Sequence, residues 1–175
     1  MGGGAWPAAS SRVSDGAPVI RQARASDLEA ILGIERDSFA DPWSRESFES
    51  SLALDRMRFL VAEEGGAGTR NGEGGAETIL GYVLTLLLLE EAEIADLAVA
   101  PVARRRGIGG MLLDRVAADV ADAGVRSLYL EVRESNSAAR ALYTSRCFLP
   151  VGRRRGYYQR PPEDALLFKR DLAPV

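Results

Sequence analysis

The chain has 175 residues, of which 46% are hydrophobic and 27% charged, a composition typical of one globular domain with a core. Its net charge of −3 does not favour binding to nucleic acid. The single cysteine, Cys147, excludes an internal disulfide. Because the chain also lacks histidine, we expect no bound metal, and acid–base chemistry must use carboxylates, tyrosine, the thiol or a substrate group.

Composition also indicates how the chain is organised. Residues 1–17 are rich in Gly, Ala and Ser, which predicts a disordered N-terminal tail. Residues 65–76 include six glycines, which predicts a flexible loop inside a single domain that covers residues 18–172. The sequence shows neither a signal peptide nor an apolar stretch of membrane-spanning length. We therefore expect a cytoplasmic protein that binds no membrane, and a monomer or a weak dimer.

Hydrophobic periodicity, capping residues and glycine or proline breaks predict the secondary structure. In chain order, the predicted strands cover residues 18–22, 59–63, 78–89, 91–99, 126–132, 148–157 and 165–170. The predicted helices begin at a capping box at Ser26, at the N-cap Ser44, at Gly107 and at Asn136. The order β-α-α-β-β-β-α-β-α-β-β is typical of an α/β (α+β) fold, with a mixed sheet and helices on its faces.

A glycine-rich basic loop, Arg104-Arg105-Arg106-Gly107-Ile108-Gly109-Gly110, lies between a strand and a helix. The first amides of a helix lack internal partners, and the helix dipole favours an anion there. The glycines let the backbone approach a ligand closely and adopt positive φ. No lysine follows, which excludes a Walker loop, and Leu112 stands where a dinucleotide fingerprint needs its third glycine. The alternative is a basic glycine turn before a surface helix.

The pattern Arg104-x-x-Gly107-x-Gly109 resembles the signature of the GNAT acetyltransferase family. The resemblance implies a single domain with a mixed, largely antiparallel sheet of about seven strands flanked by about four helices. It also implies that the loop from Arg105 to Gly110 binds the pyrophosphate of acetyl-CoA. The residues assigned to this role are Arg105, Arg106, Gly107, Ile108, Gly109 and Gly110. By the same resemblance, Leu97, Ala98 and Val99 lie on the strand whose backbone pairs with the pantetheine arm.

The segment from Leu130 to Tyr143 is the most specific stretch of the sequence. Glu131 lies on the face of its strand opposite Leu130, and a partly buried carboxylate in a central strand can act as a general base. Asn136 is a good N-cap, and Tyr143 follows two helical turns later, so both can line one groove. Taken singly, these residues could equally be a solvated glutamate, a helix cap and a core tyrosine.

This segment closely resembles the RimI-type branch of the family, which acetylates the N-terminal alanine of ribosomal protein S18. The branch carries the pattern Leu-Glu-Val-Arg-x-Ser-Asn-x-x-Ala-x-x-Leu-Tyr, matched from Leu130 to Tyr143. The resemblance implies that Glu131 is the general base, that Asn136 contacts the cofactor, and that Tyr143 protonates the leaving thiolate. The family usually has glycine where this chain has Cys147. A glycine at a helix end commonly adopts a left-handed conformation, so we expect modest strain at Cys147.

Four residues are candidates for binding the acceptor substrate. Two segments resemble the regions of this branch that face the acceptor amine. One contains Trp43, and the other contains Tyr157 and Tyr158. All three are candidate walls of a peptide groove, with ordinary packing as the alternative. Glu91 matches an acidic residue just before the cofactor strand. It could bind the substrate ammonium or serve as another base, or it could be a solvated turn residue.

The resemblance implies that acetyl-CoA donates its acetyl group directly to the α-amino group of a protein N-terminus. An α-amino group has a pKa of about 8, against about 10.4 for lysine, so a carboxylate base handles it with less assistance. Two alternatives stay open: acetylation of a lysine or a small amine, and a non-catalytic module that binds acetyl-CoA.

Overall fold

The computed structural model describes residues 17–65 and 78–172. The predicted tail and the predicted glycine-rich loop lie outside the described residues, apart from one residue each. The strands are β1 (Val19–Gln22), β2 (Met57–Glu63), β3 (Ile79–Leu88), β4 (Glu91–Val99), β5 (Ser127–Arg133), β6 (Leu149–Gln159) and β7 (Pro162–Asp171). The α-helices are α1 (Leu28–Ser38), α2 (Arg45–Leu52), α3 (Ile108–Asp122) and α4 (Ser137–Ser145). None of these helices combines the length and the apolar character needed to cross a bilayer.

Within the described residues, the seven strands form one sheet in the order β1-β2-β3-β4-β5-β7-β6. The neighbours β4 and β5 are parallel, and all other neighbouring strands are antiparallel. The predicted order of elements is confirmed, and so is the α/β fold with a mixed, largely antiparallel sheet and four helices.

Helices cover both faces of the sheet, as the alternation of side chains along β3 shows. Tyr82 packs against Phe48 of α2, with ring centroids 5.6 Å apart, and its hydroxyl donates to Glu35 of α1. The neighbouring Gly81 faces Leu112 of α3 on the opposite side. Helices α1 and α2 therefore lie on one face of the sheet and α3 lies on the other.

The first helix begins later than predicted, and the capping box at Ser26 is wrong. A short 3-10 turn precedes α1, which starts at Leu28. The Asp27 carboxylate accepts a hydrogen bond from the Arg24 N–H at 2.7 Å and forms an ion pair with Arg21 at 2.7 Å. These contacts let Asp27 hold the chain at the start of the helical segment, so the Ser26 side chain is not needed as a cap.

The last two strands are longer than predicted. β6 continues to Gln159 and β7 starts at Pro162, so a tight turn at residues 160–161 joins them. The predicted strand ends at Tyr157, two residues short of the observed end. Tyr157 and Tyr158 both belong to β6, next to a shift in the register between β6 and β7. The hairpin holds their side chains on a paired strand instead of on a free loop.

The helix end at Cys147 has the left-handed conformation expected where the family has glycine. Cys147 has φ +63° and is exposed, and its N–H donates to the Thr144 carbonyl at 3.2 Å. A left-handed conformation costs a residue with a Cβ about 1–2 kcal/mol, whereas glycine adopts it freely. The chain therefore carries local backbone strain just after α4.

We expect Cys147→Gly to raise the free energy of unfolding by about 0.5–1 kcal/mol, because relief of the strain exceeds the added flexibility of the unfolded chain. Urea denaturation followed by circular dichroism measures the change. Cys147→Ala is the matched control, since it removes the thiol and keeps the Cβ, and it should leave stability nearly unchanged. Equal stability of the glycine and alanine variants would contradict the prediction.

Candidate functional site

A cavity lies where β4 and β5 part. The two strands pair from Glu91 and Ser127 up to Ile94 and Leu130, and no pairing follows in these described strands. Beyond that point a cavity of about 460 Å³ opens between residues 94–97 of β4 and residues 130–133 of β5. The edge of β4 that faces β5 thereby leaves its backbone groups without a strand partner, which suits pairing with an extended ligand.

A bulge in β4 accompanies the opening. Thr85 pairs with Ile94 and the next residue of β3, Leu84, pairs with Asp96, so Ala95 is an extra residue in β4. Paired residues share a face, and adjacent residues of β3 point to opposite faces. Asp96 therefore lies on the face covered by α1 and α2, whereas Ile94 lies on the face of α3.

Glu131 and Tyr143 line this cavity from opposite faces of the sheet. Leu130 pairs with Ile94, which places it on the α3 face, so the adjacent Glu131 lies on the face of α1 and α2. Tyr143 of α4 packs against Phe168, the partner of Leu130 in β7, with ring centroids 6.2 Å apart. The cavity therefore crosses the sheet, with a carboxylate on one side and a phenol on the other.

The Glu131 carboxylate is almost fully buried. Only 8% of its side chain is exposed, and the Arg154 Nη1 atom lies 2.9 Å from Oε1 as an ion pair. This contact lacks the geometry of a hydrogen bond, and within the described residues Oε1 has no hydrogen-bond partner. A hydrogen bond with Glu131 raises the pKa of the Tyr157 hydroxyl. Glu131 can therefore accept a proton from a group that enters the cavity.

The Tyr143 side chain is 7% exposed. Burial raises the pKa of its hydroxyl. The phenol therefore keeps its proton at neutral pH and can give it to a developing thiolate.

Asn136 lines the same cavity and also caps α4. Its Oδ1 atom accepts a hydrogen bond from the Ala139 N–H at 3.0 Å. The side-chain oxygen is thus engaged by the helix, while the residue stays at the cavity wall. Both interpretations of Asn136 from the sequence are compatible with this position.

Positive φ is predicted for three glycines of the loop, and only one of them, Gly107, has it. Gly107 is the N-cap of α3 with φ +82°, as expected. Gly109 and Gly110 are helical, and the prediction of positive φ there is wrong. A Cβ at Gly109 would lie 2.9 Å from Leu142, and a Cβ at Gly110 would lie 2.3 Å from the guanidinium of Arg146. Glycine at position 109 leaves room for Leu142 where α4 packs on α3, whereas the neighbour at position 110 is the end of a flexible arginine side chain.

The arginines of this loop differ in their contacts. Arg105 has φ +65° and is exposed. Arg106 forms a two-point ion pair with Glu64, at 2.8 and 3.2 Å, and its guanidinium lowers the pKa of that carboxyl. Arg104 Nε donates to the Val99 carbonyl at 3.1 Å, which ties the loop to the end of β4. A short 3-10 turn, Pro101–Ala103, separates residues 105–110 from the strand that borders the cavity.

The candidate substrate residues divide into two groups. Trp43, Tyr157 and Tyr158 line the cavity, as does Leu97 of the cofactor strand. The two tyrosine rings form an edge-to-face pair with centroids 5.1 Å apart. Glu91 instead lines a smaller cavity of about 160 Å³, which shares Glu131 with the main one. Ala98, Val99 and residues 105–110 are next to the main cavity along the chain and do not line it.

Sequence reasoning missed a buried acidic network at the cavity, formed by Glu35, Tyr82 and Asp96. The Tyr82 hydroxyl donates to Glu35 and lies 2.9 Å from Asp96 Oδ2. Two signals were available. Glu35 continues the apolar stripe that starts at Leu28 with helical spacing, and Asp96 interrupts an apolar strand.

Comparison with known proteins shows the family of the chain. The model of the GNAT acetyltransferase family matches residues 28–147. The chain is 35% identical over 144 residues to the [ribosomal protein bS18]-alanine N-acetyltransferase of Escherichia coli K12, covering 81% of this chain and 89% of that protein. It is 37% identical over 152 residues to the N-alpha-acetyltransferase RimI of Mycobacterium tuberculosis H37Rv, covering 85% of each.

Solved structures show the same fold. The crystal structure of the ribosomal-protein-S18-alanine N-acetyltransferase from Escherichia coli has a TM-score of 0.76 and 32% identity, covering 91% of this chain and 96% of that one. Arabidopsis thaliana NAA60 in complex with acetyl-CoA has a TM-score of 0.78 at 24% identity, covering 89% and 99%. The latter likeness concerns the fold alone.

Proposed function

The chain belongs to the GNAT acetyltransferase family and is an N-acetyltransferase, and we propose that it transfers the acetyl group of acetyl-CoA to the N-terminal alanine of ribosomal protein S18. The observation that carries the proposal is the cavity that crosses the sheet between β4 and β5, with Glu131 on one face and Tyr143 on the other. Two relatives of comparable length carry the corresponding names. Because ribosomal proteins are made in the cytoplasm, we propose that the enzyme acts there, as a single domain over residues 18–172.

The described residues fit acetyl-CoA at the α3 face. The unpaired edge of β4, from Leu97 to Val99, can pair with the pantetheine arm, and the amides at the start of α3 can bind the pyrophosphate. Gly107, in its left-handed conformation, turns the chain into the helix there. The roles of Arg105, Arg106, Ile108, Gly109, Gly110 and Asn136 as neighbours of the cofactor are part of this proposal. Acetyl-CoA supplies an activated carbonyl and a thiolate leaving group.

The acceptor peptide enters from the face of α1 and α2. Three aromatic residues line the cavity along the path of the peptide: Trp43, Tyr157 and Tyr158. Glu131 accepts a proton from the attacking nitrogen, and a backbone N–H near Val99 donates a hydrogen bond to the developing oxyanion. Tyr143 gives its proton to the leaving thiolate from the other face. Glu91 lies too far along β4 to line the main cavity, so we assign it to the outer part of the acceptor path.

The direct test is acetyl transfer by the full-length chain. With acetyl-CoA, a peptide carrying the N-terminal sequence of ribosomal protein S18 should gain one acetyl group on its α-nitrogen, as detected by mass spectrometry. Peptides with other N-terminal residues, a lysine peptide with a blocked N-terminus, and small amines are compared at equal concentration. If no free N-terminus is acetylated, the proposal is wrong, and transfer only to lysine or small amines would support the alternative substrate class.

We expect Glu131→Gln and Tyr143→Phe each to lower kcat by about 100-fold or more, because each removes a proton transfer and keeps the shape of the side chain. Acetyl-CoA should still bind both variants, as calorimetric titration measures. Glu90→Gln is the matched control, since Glu90 is an exposed carboxylate in the β3–β4 turn and should leave kcat unchanged. Rates near wild type in both site variants would remove the catalytic assignment.

A second pair of variants tests the cofactor loop. Gly107 and Gly124 have φ +82° and +88°, and an added Cβ meets no atom within 4 Å at either position. Alanine at either position should therefore lower the free energy of unfolding by a similar amount, about 1–2 kcal/mol. Only Gly107→Ala should also weaken acetyl-CoA binding, by about 5- to 30-fold. Equal affinities of the two variants for acetyl-CoA would contradict the placement of the pyrophosphate at α3.

A further inference from the structure

A pair of carboxyl groups, the buried Glu35 and the half-buried Asp96, lines the acceptor side of the cavity. Glu35, from α1, is 1% exposed, and Tyr82, from β3, is fully buried. The Tyr82 hydroxyl bridges Glu35 to Asp96 of β4, whose Oδ2 atom lies 2.9 Å from the phenolic oxygen. The other oxygen of Glu35 accepts a hydrogen bond from the Trp43 N–H at 2.7 Å. Both carboxyl groups are thereby fixed in place at the wall of the cavity.

Counting protons shows that this pair holds one. The Tyr82 hydroxyl has a single proton and contacts oxygens of both carboxyl groups, so it can donate fully to only one of them. The remaining contact requires a proton on the other carboxyl group. Glu35 accepts the Tyr82 proton and the Trp43 N–H, whereas Asp96 accepts a backbone hydrogen bond from Leu97, so we assign the proton to Asp96. Burial and the negative charge of Glu35 raise the pKa of Asp96 to about 8, which agrees with this assignment.

The pair also lacks a cationic partner. Glu131, the other buried carboxylate of the cavity, has Arg154 at 2.9 Å. By contrast, neither Glu35 nor Asp96 forms an ion pair with a basic side chain of residues 17–65 or 78–172. A buried negative charge without a cation is unfavourable, so its retention at a cavity wall points to a cationic ligand.

A third carboxylate points to the same ligand independently. Only 8% of the Glu131 side chain is exposed, and its Oε1 atom, which forms the ion pair with Arg154, receives no hydrogen bond among the described residues. It lies on the same face as Asp96 and lines the same cavity. A cation with several N–H groups, placed between β4 and β5, could donate hydrogen bonds to both Asp96 and Glu131.

The groups that face Asp96 come from several elements. They are Glu35 of α1, Tyr82 of β3, Tyr143 of α4, Glu131 and Arg133 of β5, Tyr157 and Tyr158 of β6, Asp41 between α1 and α2, and Arg160 in the β6–β7 turn. Arg133 is held elsewhere, by Glu163 at 3.3 Å and over the ring of Tyr158 at 4.0 Å. The local balance around the pair is therefore acidic.

We propose that Glu35 and Asp96 form the subsite that receives the α-ammonium group of the acceptor, in exchange for the proton that the pair shares in the free enzyme. This inference rests on the proposed function and names the part of its site that binds the acceptor nitrogen. One proton leaves Asp96 for solvent as the ammonium binds, and the two carboxylates then face a single positive charge. Tyr82 acts as a positioning residue that holds the pair together.

The same exchange favours α-amino groups over lysine. For attack, one N–H bond of the bound ammonium breaks, its proton passes to Asp96, and the electron pair stays on nitrogen. An α-ammonium group has a pKa of about 8, so it gives up this proton readily. A lysine ammonium, at a pKa of about 10.4, would give up its proton to Asp96 about 250-fold less readily. Glu131 then accepts the second N–H proton during attack and passes it to solvent. Tyr143 regains from solvent the proton that it gave to the thiolate, and Asp96 is again in the protonated state of the free enzyme.

Proton release on binding is the sharpest test. An S18 N-terminal peptide is titrated calorimetrically into the wild-type enzyme saturated with coenzyme A, at pH 7, in two buffers with different ionisation enthalpies. We expect about one proton to be released for each peptide bound. The same peptide with an acetylated N-terminus carries no positive charge there, so it should bind at least about 10-fold more weakly and release no proton.

Two variants separate the subsite from a purely structural network. Asp96→Asn keeps a donor for the Tyr82 oxygen, and it should abolish proton release and raise the Kd of the peptide at least about 10-fold. Asp37→Asn is the matched control, an exposed carboxylate two residues beyond Glu35 on α1, and it should change neither quantity. If Asp96→Asn does not fold, the comparison of free and acetylated peptides on the wild type decides the matter.

The outcomes separate the two proposals. Acetyl transfer by the wild type without proton release on peptide binding overturns the ammonium subsite alone. Unchanged proton release in a folded Asp96→Asn variant overturns it as well. If the wild type transfers acetyl to no N-terminus, the proposed function fails, and the subsite fails with it.

Discussion

The parting of β4 and β5 is the constraint on which the rest of the site depends. One extra residue, Ala95, shifts the register of β4 against β3, and the pairing with β5 ends at Ile94 and Leu130. A sheet that would otherwise be closed gains an opening through its centre. Because adjacent residues of a strand point to opposite faces, the opening can bring a donor and an acceptor together from two sides. The bulge also places Asp96 on the acceptor face.

Burying carboxyl groups beside this opening is unfavourable for stability, and the structure offsets the cost locally. Glu131 has the guanidinium of Arg154, and Glu35 accepts hydrogen bonds from the Trp43 N–H and the Tyr82 hydroxyl. Asp96 is relieved by holding a proton. An apolar wall would pack with less cost, so the retention of three acidic groups fits a site selected for chemistry and not for folding.

The sequence predicts the order of elements well, because hydrophobic periodicity and cap residues are local signals. It also predicts the left-handed conformations at Gly107 and Cys147, which follow from helix ends. It fails where the cause is distant along the chain. Gly109 leaves room for Leu142 where α4 crosses α3, a contact that no local pattern contains. The network of Glu35, Tyr82 and Asp96 joins residues up to 61 positions apart and could not be read from any one segment.

The contact between α3 and α4 connects the loop at the start of α3 with Tyr143 of α4, on the side of the cavity proposed for acetyl-CoA. Gly109 follows Gly107 in the first turn of α3, and it lets Leu142 of α4 approach to a distance that a Cβ would exclude. Leu142 lines the cavity and is next to Tyr143, so the position of the phenol depends on how closely α4 packs on the start of α3. The ion pair of Arg146 with Asp114 fixes the same two helices one turn further along. A loop that binds pyrophosphate and a phenol that protonates the thiolate are therefore held in one rigid arrangement, and their separation is set by glycine.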